Sequence, residues 1–271
     1  MGETGLYDSA AVHDRQLRPL WHVGDKRMLF AGCLGRNALH PHSATVLLAG
    51  VYDEFSLRLK DSDWLSCRAA IIRAGTAYEF DARGQPLSVI YVEPDEIGAE
   101  GLGSLLRDTS ELSGAVVGAF LERRSIRAIY EDSASACWAG EAVTDLVRFA
   151  QRQCSRVLDR RIRAALQGMT AGHGAESEGT SALPPRVSSA AIASELSVSR
   201  FQHLFREHVG VSYNRYSAWR RMRTAIAEVV RGTNLTAAAH AAGYYDQPHF
   251  SREFRRIFGA PASKSLSNVR S

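Results

Sequence analysis

The sequence predicts a two-domain α+β chain. A β-barrel or sandwich with packed helices is followed by an all-α domain, in which two helix-turn-helix units are joined by a linker helix. Three observations predict this. Short apolar runs broken by turn residues recur through residues 20–95, the rhythm of a sandwich or barrel. The stretch Met169–Pro185 is rich in Gly, Ser, Ala and Glu, lacks an apolar period and ends in two prolines, which marks a linker. Beyond it, two helix pairs with matching apolar spacing flank one long helical pattern.

The 271 residues are enough for two domains. The expected boundaries are 1–168 for the first domain (β part 20–95, helices 96–168), 169–186 for the linker and 187–271 for the second domain, with residues 1–10 loose. No apolar run approaches the ~20 residues needed to span a bilayer, and the N-terminus has no charged-then-apolar leader pattern. Cys33, Cys67, Cys137 and Cys154 are scattered without a C-x-x-C pair, so neither zinc nor a disulfide framework is indicated. The expectation is a soluble cytoplasmic protein with no membrane partner.

Taken in order, Thr45–Leu59 reads as strands broken at a glycine and at an Asp53–Glu54 turn. Leu59–Gly75 turns at Asp61–Asp63, and Thr76–Pro94 carries a hairpin-like turn at Asp81–Gln85. From Glu96 to Leu166 the pattern is helical, with one helix expected over Gly114–Tyr130 and a stronger one over Glu141–Leu166. In the second domain Ala190–Ser197 reads as a short helix burying Ile192, Ala193 and Leu196. Ser197 caps the following helix, Val198–Gly210, which buries Phe201, Leu204, Phe205 and Val209. The later pair runs Asn234–Gly243, capped by Thr236, then Tyr244–Gly259, burying Phe250, Phe254, Ile257 and Phe258. Pro248 is tolerated there only in the first turn. Between the pairs, Ser212–Gly232 offers one apolar face, with Arg215, Arg220, Arg221 and Arg223 mostly elsewhere.

Charge divides in the same way. Residues 187–271 hold twelve Lys/Arg against five Asp/Glu, a balance of +7; the rest holds twenty-one against twenty-four, a balance of −3. A basic terminal domain on a mildly acidic body is the footprint of a phosphate-binding module. Two reading helices on one lever suit two neighbouring major-groove segments about 34 Å apart.

The stretches SVSRFQHLFREHVGVS, RRMRTAIAEVV and AAGYYDQPHFSREFRRIFGAP resemble the DNA-binding domain of the AraC/XylS family of bacterial transcription regulators, over about a third of the chain. Two departures stand out. Tyr213 takes the place of a usual proline, and Lys264–Ser265 replaces a usual aromatic–arginine pair. These bear on helix ends and C-terminal packing more than on the reading helices. Residues 20–95 resemble the cupin-like sensor domain of many such regulators, through LHPHSATVLL and IIRAGTAYEFDA.

The resemblance implies a sequence-specific DNA-binding transcription regulator, not an enzyme, with no cofactor and no catalytic residue. Its partners are double-stranded DNA, a small-molecule effector and a second copy of the chain, with RNA polymerase as a further candidate. The expected DNA contacts are Ser199, Arg200, Gln202, His203 and Arg206 on the first reading helix, and Asp246, Gln247, His249 and Arg252 on the second. Arg matches two guanine acceptors and Gln matches adenine; His203 and His249 could instead reach phosphate, and Asp246 could be a helix cap. His40, His42, Tyr52, Trp64, Tyr78 and Tyr91 are the effector candidates, with an ordinary core as the alternative for the aromatics. His40-Pro-His42 also invites a metal reading. Ser43–Gly50 supplies no carboxylate and Tyr78 or Glu79 stands near the expected third ligand, so no metal site is assigned. The alternative function is a cupin-type metalloenzyme with a helical interaction tail.

Overall fold

The computed structural model describes residues 17–154, 157–169 and 184–270. Residues 1–10 and most of the expected linker lie outside the described residues. The first half is built on strands β1 (Leu20–Val23), β2 (Arg27–Cys33), β3 (His40–Pro41), β4 (Thr45–Gly50), β5 (Phe55–Leu59), β6 (Leu65–Cys67), β7 (Ala69–Ile72), β8 (Ala77–Asp81), β9 (Pro86–Val92), β10 (Leu106–Leu112) and β11 (Ala115–Phe120). They form a seven-stranded sheet, β1-β2-β9-β4-β7-β11-β10, facing a four-stranded sheet, β3-β8-β5-β6.

The central strands of the large sheet are apolar on both faces, which is why they read as unbroken runs such as TVLL and AAII. Met28, Phe30, Val46, Leu48, Ile72, Val89 and Tyr91 point between the sheets. Leu29, Ala31, Leu47, Ile71, Ile90 and Val92 point the other way. That outer face is covered by α2 (Arg123–Glu131) and α3 (Ala139–Gln153), which follow the short turn α1 (Ala99–Leu102). Ile126, Ile129, Val143 and Val147 fill the seam.

Several expectations for this half are corrected. The turn at Asp81–Gln85 does not close a hairpin, because β8 pairs with β3 and β5 while β9 pairs with β2 and β4. The chain changes sheet there. Gly114–Tyr130 is not one helix: Ala115–Phe120 pairs with β10 and β7, and the helix begins only at Arg123. A short Val/Ala/Phe run is apolar in either conformation, and Gly114 at φ +89° makes the tight turn that favours the hairpin. The helix expected over Glu141–Leu166 is two, α3 and α4 (Arg160–Gly168). Cys154 is extended after the first, and Asp159 caps the second by accepting the Arg161 N–H.

The second half comprises α5 (Val187–Ala193), α6 (Val198–Val209), α7 (Tyr213–Val230), α8 (Leu235–Ala241), α9 (Gln247–Phe258) and the short α10 (Ala262–Ser265). Ile162 and Leu166 of α4 share a buried cluster with Phe201, Leu204 and Phe205 of α6. On α5 the buried residues are Ala190 and Ala191, whereas Ile192 is 76 % exposed. The buried set Ala190, Ala191 and Ser194 lies two residues before the expected Ile192, Ala193 and Leu196, because the apolar and small residues of this helix do not single out a stripe. Asn234, not Thr236, caps α8; its side chain accepts the Ala237 N–H.

The same buried cluster runs without interruption from between the sheets into the helical half. Tyr78 and Tyr91 of the barrel join Trp219 of α7 and Phe258 of α9. The open end of the barrel is therefore closed by the helices that follow it.

Candidate nucleic-acid interface and the barrel mouth

Each reading helix turns an apolar stripe inward and a polar face outward. On α6 the Ser197 hydroxyl accepts the Arg200 N–H at 3.3 Å, and Gly210 ends the helix at φ +88°. Phe201, Leu204, Phe205 and Val209 are buried, while Ser199, Arg200, Gln202, His203 and Arg206 are exposed. On α9, Pro248 sits in the first turn and Gly259 ends the helix at φ +68°. Gln247 and Arg252 are exposed; Asp246 and His249 are half-buried. Asp246 is engaged as the cap, accepting the His249 N–H at 2.6 Å, and the His249 ring packs edge-on against Tyr244 at 5.3 Å. Gln247 Oε1 accepts from Thr236 at 3.2 Å, which ties this side chain to α8.

The opposite side of the helical half grips the barrel. Residues at positions 216, 219, 220 and 223 of α7 share one helical face. On that face Arg220 and Arg223 are buried, contrary to the expectation that the arginines avoid it. Both guanidiniums pair with Glu93, just past β9: Arg223 directly and Arg220 at 3.6 Å. Tyr216 donates its hydroxyl to Glu93 at 2.6 Å and Trp219 its indole N–H at 3.1 Å. Arg223 also donates to the Gly24 carbonyl. Burial alone pushes Glu93 up, but the two arginines and the two hydrogen bonds hold its carboxyl below the usual carboxylate range.

His42 lies at the centre of the barrel mouth. Its ring is 4.9 Å from Tyr91, 5.1 Å from Phe258, 5.1 Å from His40 and 5.4 Å from Trp219. Neither of its ring nitrogens has a hydrogen-bond partner among the described residues. Burial, with the Arg215 cation and the titratable His40 ring as neighbours, holds His42 well below the ordinary histidine value. His40 is held down to about 4, chiefly by burial, although its Nδ1 contacts the Ala38 carbonyl oxygen at 2.9 Å. Both rings are thus neutral at pH 7. A cavity of about 60 Å³ opens beside them, lined by Trp21, His40, Tyr78, Tyr91, Phe254 and Phe258, with Arg36 and Lys264 as its cationic groups.

Four of the six effector candidates, His40, His42, Tyr78 and Tyr91, come together here. Tyr52 and Trp64 do not. Tyr52 donates to Glu131 at 2.8 Å on the outer face of the large sheet. Trp64 is 38 % exposed and sits between the guanidiniums of Arg36 and Arg58, 5.1 and 5.0 Å from its ring centre. Among the described residues no group of three or more His, Cys, Asp or Glu is placed to hold a metal ion.

The C-terminal edge completes the closure. Gly259 O accepts from Ala38 N at 2.8 Å, Trp21 donates its indole N–H to Ser265 O at 2.7 Å, and Arg270 N donates to Pro19 O at 2.8 Å. The two departures in this half have structural consequences. Tyr213 is buried and donates its hydroxyl to Pro185 O at 2.9 Å, and Ser265 supplies the carbonyl for Trp21.

Residues 190–267 match the family model described as a helix-turn-helix domain. This part of the chain is an AraC-type helix-turn-helix domain. The architecture of both halves is similar to crystal structures of ToxT from Vibrio cholerae. The unsaturated fatty acid-bound form is 10 % identical with a TM-score of 0.57, over 90 % of this chain and 96 % of that one. The form bound to (E)-4-(8-methylnaphthalen-1-yl)but-3-enoic acid is 10 % identical with a TM-score of 0.56, over 89 % and 98 %. At this identity the likeness shows the fold. A comparison with curated proteins finds no significant match. No helix among the described residues is long and apolar enough to cross a membrane.

Sequence reasoning missed the residues that join the AraC-type domain to the barrel, above all Glu93, Arg220, Arg223 and Trp219. A signal was present. Strand alternation puts Glu93 on the same side as Leu87, Val89 and Tyr91, so a carboxylate ends an inward-facing apolar row.

Proposed function

We propose that this protein is a sequence-specific DNA-binding transcription regulator whose DNA affinity responds to a small molecule at the barrel mouth. One observation carries the reading: α9 offers exposed polar side chains on one side and helps α7 close the barrel with the other, and α6 abuts the barrel half at Gly210. Ser199, Arg200, Gln202, His203 and Arg206 on α6, with Gln247 and Arg252 on α9, are the proposed base and phosphate contacts. Asp246 and His249 act mainly in shaping the start of α9. Arginines set register on phosphate without reading sequence, and the glutamines and Arg252 supply discrimination.

The effector is proposed to be an apolar or aromatic small molecule, held against His40, His42, Tyr78 and Tyr91. The acids held by the ToxT structures, with their large apolar bodies, support that class. The cavity of about 60 Å³ has room for roughly two waters at ~30 Å³ each. A larger molecule that enters toward the helices must therefore displace Phe254 or Phe258, and so shift α9 of the AraC-type domain. A second copy of the chain is the proposed partner of the outer helices, where Leu121 and Phe149 are each 47 % exposed beside Leu105 and Leu146.

Selection from a randomised duplex library with the full-length protein tests the reading. It should enrich one motif, and Gln202→Ala and Arg252→Ala should each lower discrimination at separate positions of it. Equal weakening on selected and random duplex would make both residues backbone contacts.

A further inference from the structure

We propose that Asn37 is a positioning residue that links the wall of the mouth cavity to the end of the second reading helix, so that a disturbance of that wall alters what α9 reads and leaves α6 unchanged. This rests on the DNA-binding reading above and names the part of it that the mouth controls.

The connection between β2 and β3 has two sides. Leu34, Gly35, Arg36 and Asn37 line the cavity. Asn37 and the residue after it also hold α9. Asn37 is 4 % exposed. Its Oδ1 accepts the Phe80 N–H at 2.7 Å, which fixes the orientation of the amide. Nδ2 then donates to the Phe258 carbonyl at 3.4 Å and lies 3.1 Å from His40 Nδ1. The Ala38 N–H donates to the Gly259 carbonyl at 2.8 Å. A helix leaves its last carbonyls without partners of its own. Two successive carbonyls at the end of α9 are met here by two successive residues of the barrel. Phe258 lines the same cavity, so its ring and its carbonyl both report on one wall.

The other helices are held differently. The Glu93 cluster anchors α7 with two guanidiniums and two further hydrogen bonds. The end of α6 is pressed at Gly210 against Ala74. Neither Glu93 nor Ala74 is among the described lining residues of the mouth cavity. Charge-assisted bonds are about twice as strong as those between neutral groups. The neutral bonds from Asn37 and Ala38 therefore yield before the anchor of α7 does. Movement of the wall is passed to α9, while α6 stays in register.

Hydrogen exchange and DNA binding by full-length Asn37→Asp and Asn37→Ala test this. Aspartate keeps the acceptor for the Phe80 N–H and loses the donor to Phe258. Exchange needs no DNA, so it separates failure of the linkage from failure of the DNA-binding reading. In Asn37→Asp the Ala38 amide, and the Gly259 amide that closes the last turn of α9 on Arg255, should exchange about tenfold faster. The Phe80 amide should not change, nor the Gly210 amide that closes α6 on Arg206. Asn37→Ala frees the Phe80 amide too, and keeps the test decisive if the buried carboxylate prevents folding: Ala38 and Gly259 should still quicken and Gly210 should not. On the selected duplex either variant should lose about tenfold in affinity. That loss should vanish when the half-site that Arg252→Ala assigns to α9 is scrambled, and persist when the other half is scrambled. A merely structural role would lower affinity on both scrambled duplexes alike. Such an equal loss, unchanged exchange at Ala38 and Gly259, or equal quickening at Gly210 would overturn the proposal.

Discussion

The two faces of the AraC-type domain use the same residue types for opposite ends. On the outward face Arg200, Arg206 and Arg252 are exposed. On the inward face Arg220 and Arg223 are buried against a carboxylate and a backbone carbonyl of the barrel. A count of basic residues cannot separate the two groups, although only the first is free to meet phosphate. The +7 balance of this half therefore overstates its DNA-facing charge. The turn glycines show the same division. Gly210 and Gly259 end the two reading helices, and each is also pressed against the barrel half. A Cβ at Gly259 would overlap the Ala38 carbonyl, and one at Gly210 would overlap the Ala74 carbonyl. The ends of both recognition units are thus fixed by the domain proposed to sense the effector.

Inward substitutions should change stability, and outward ones should change DNA recognition. The largest effect is expected from Glu93→Gln. It leaves two buried guanidiniums without their carboxylate, a loss of about 3–5 kcal/mol, to be read as a fall in chemical or thermal unfolding midpoint. Next come Gln202→Ala and Arg252→Ala, each costing about 1–3 kcal/mol of discrimination between target and random duplex. Their unfolding midpoints should match the wild type; a matching loss of stability would erase the distinction between the faces.

Acid should act on the inward face. His40 and His42 are held neutral below the ordinary value of 6.5, so the unfolded chain takes their protons first. Their contribution is complete above pH 6.5 and is lost as pH falls toward the His40 value of about 4. Glu93, held low, keeps its contribution until the pH drops below the ordinary carboxylate range of about 4.3. His42→Phe removes two unpartnered nitrogens from a cage formed by Tyr78, Tyr91, Trp219 and Phe258, with His40 and Arg215 as its charged or titratable neighbours. It should raise stability by about 1–2 kcal/mol and flatten the fall in Tm between pH 7 and pH 5. An unchanged slope would place the acid response elsewhere. The smallest effect is expected at the caps. Ser197→Ala should cost about 1 kcal/mol, and Asp246→Ala a similar amount, both measured by unfolding.

The helical half was largely legible because its signals are local. The N-caps Ser197 and Asp246, the left-handed Gly210 and Gly259 and the Phe-x-x-x-Phe stripes are each set within a turn or two of chain. Where a local signal was shared, it misled. Asn234 and Thr236 can both cap, and only the geometry of the turn selects Asn234. In the barrel half, apolar runs located the strands but not their partners, because a strand buried on both faces has no alternation to fix its sheet. The β11 run Ala115–Phe120 was read as helix because a short apolar run fits either conformation, and its partner β10 is largely exposed and polar, with no apolar row to mark a strand. The effector candidates were named as aromatics of one barrel, but which of them meet depends on sheet membership. Tyr78 and Tyr91 point between the sheets, while Tyr52 faces the outer helices. The Glu93 cluster joins residues more than a hundred positions apart, beyond the reach of any local pattern.

The central claim is that both outward faces read one duplex at once. Chemical footprinting of the full-length protein on its selected site tests this most directly. Two protected major-groove segments are expected on one face of the DNA, about one helical turn or 10–10.5 base pairs apart, with Gln202→Ala exposing bases in one segment and Arg252→Ala in the other. A single protected segment that both substitutions weaken alike, or no protection on any selected duplex, would contradict it.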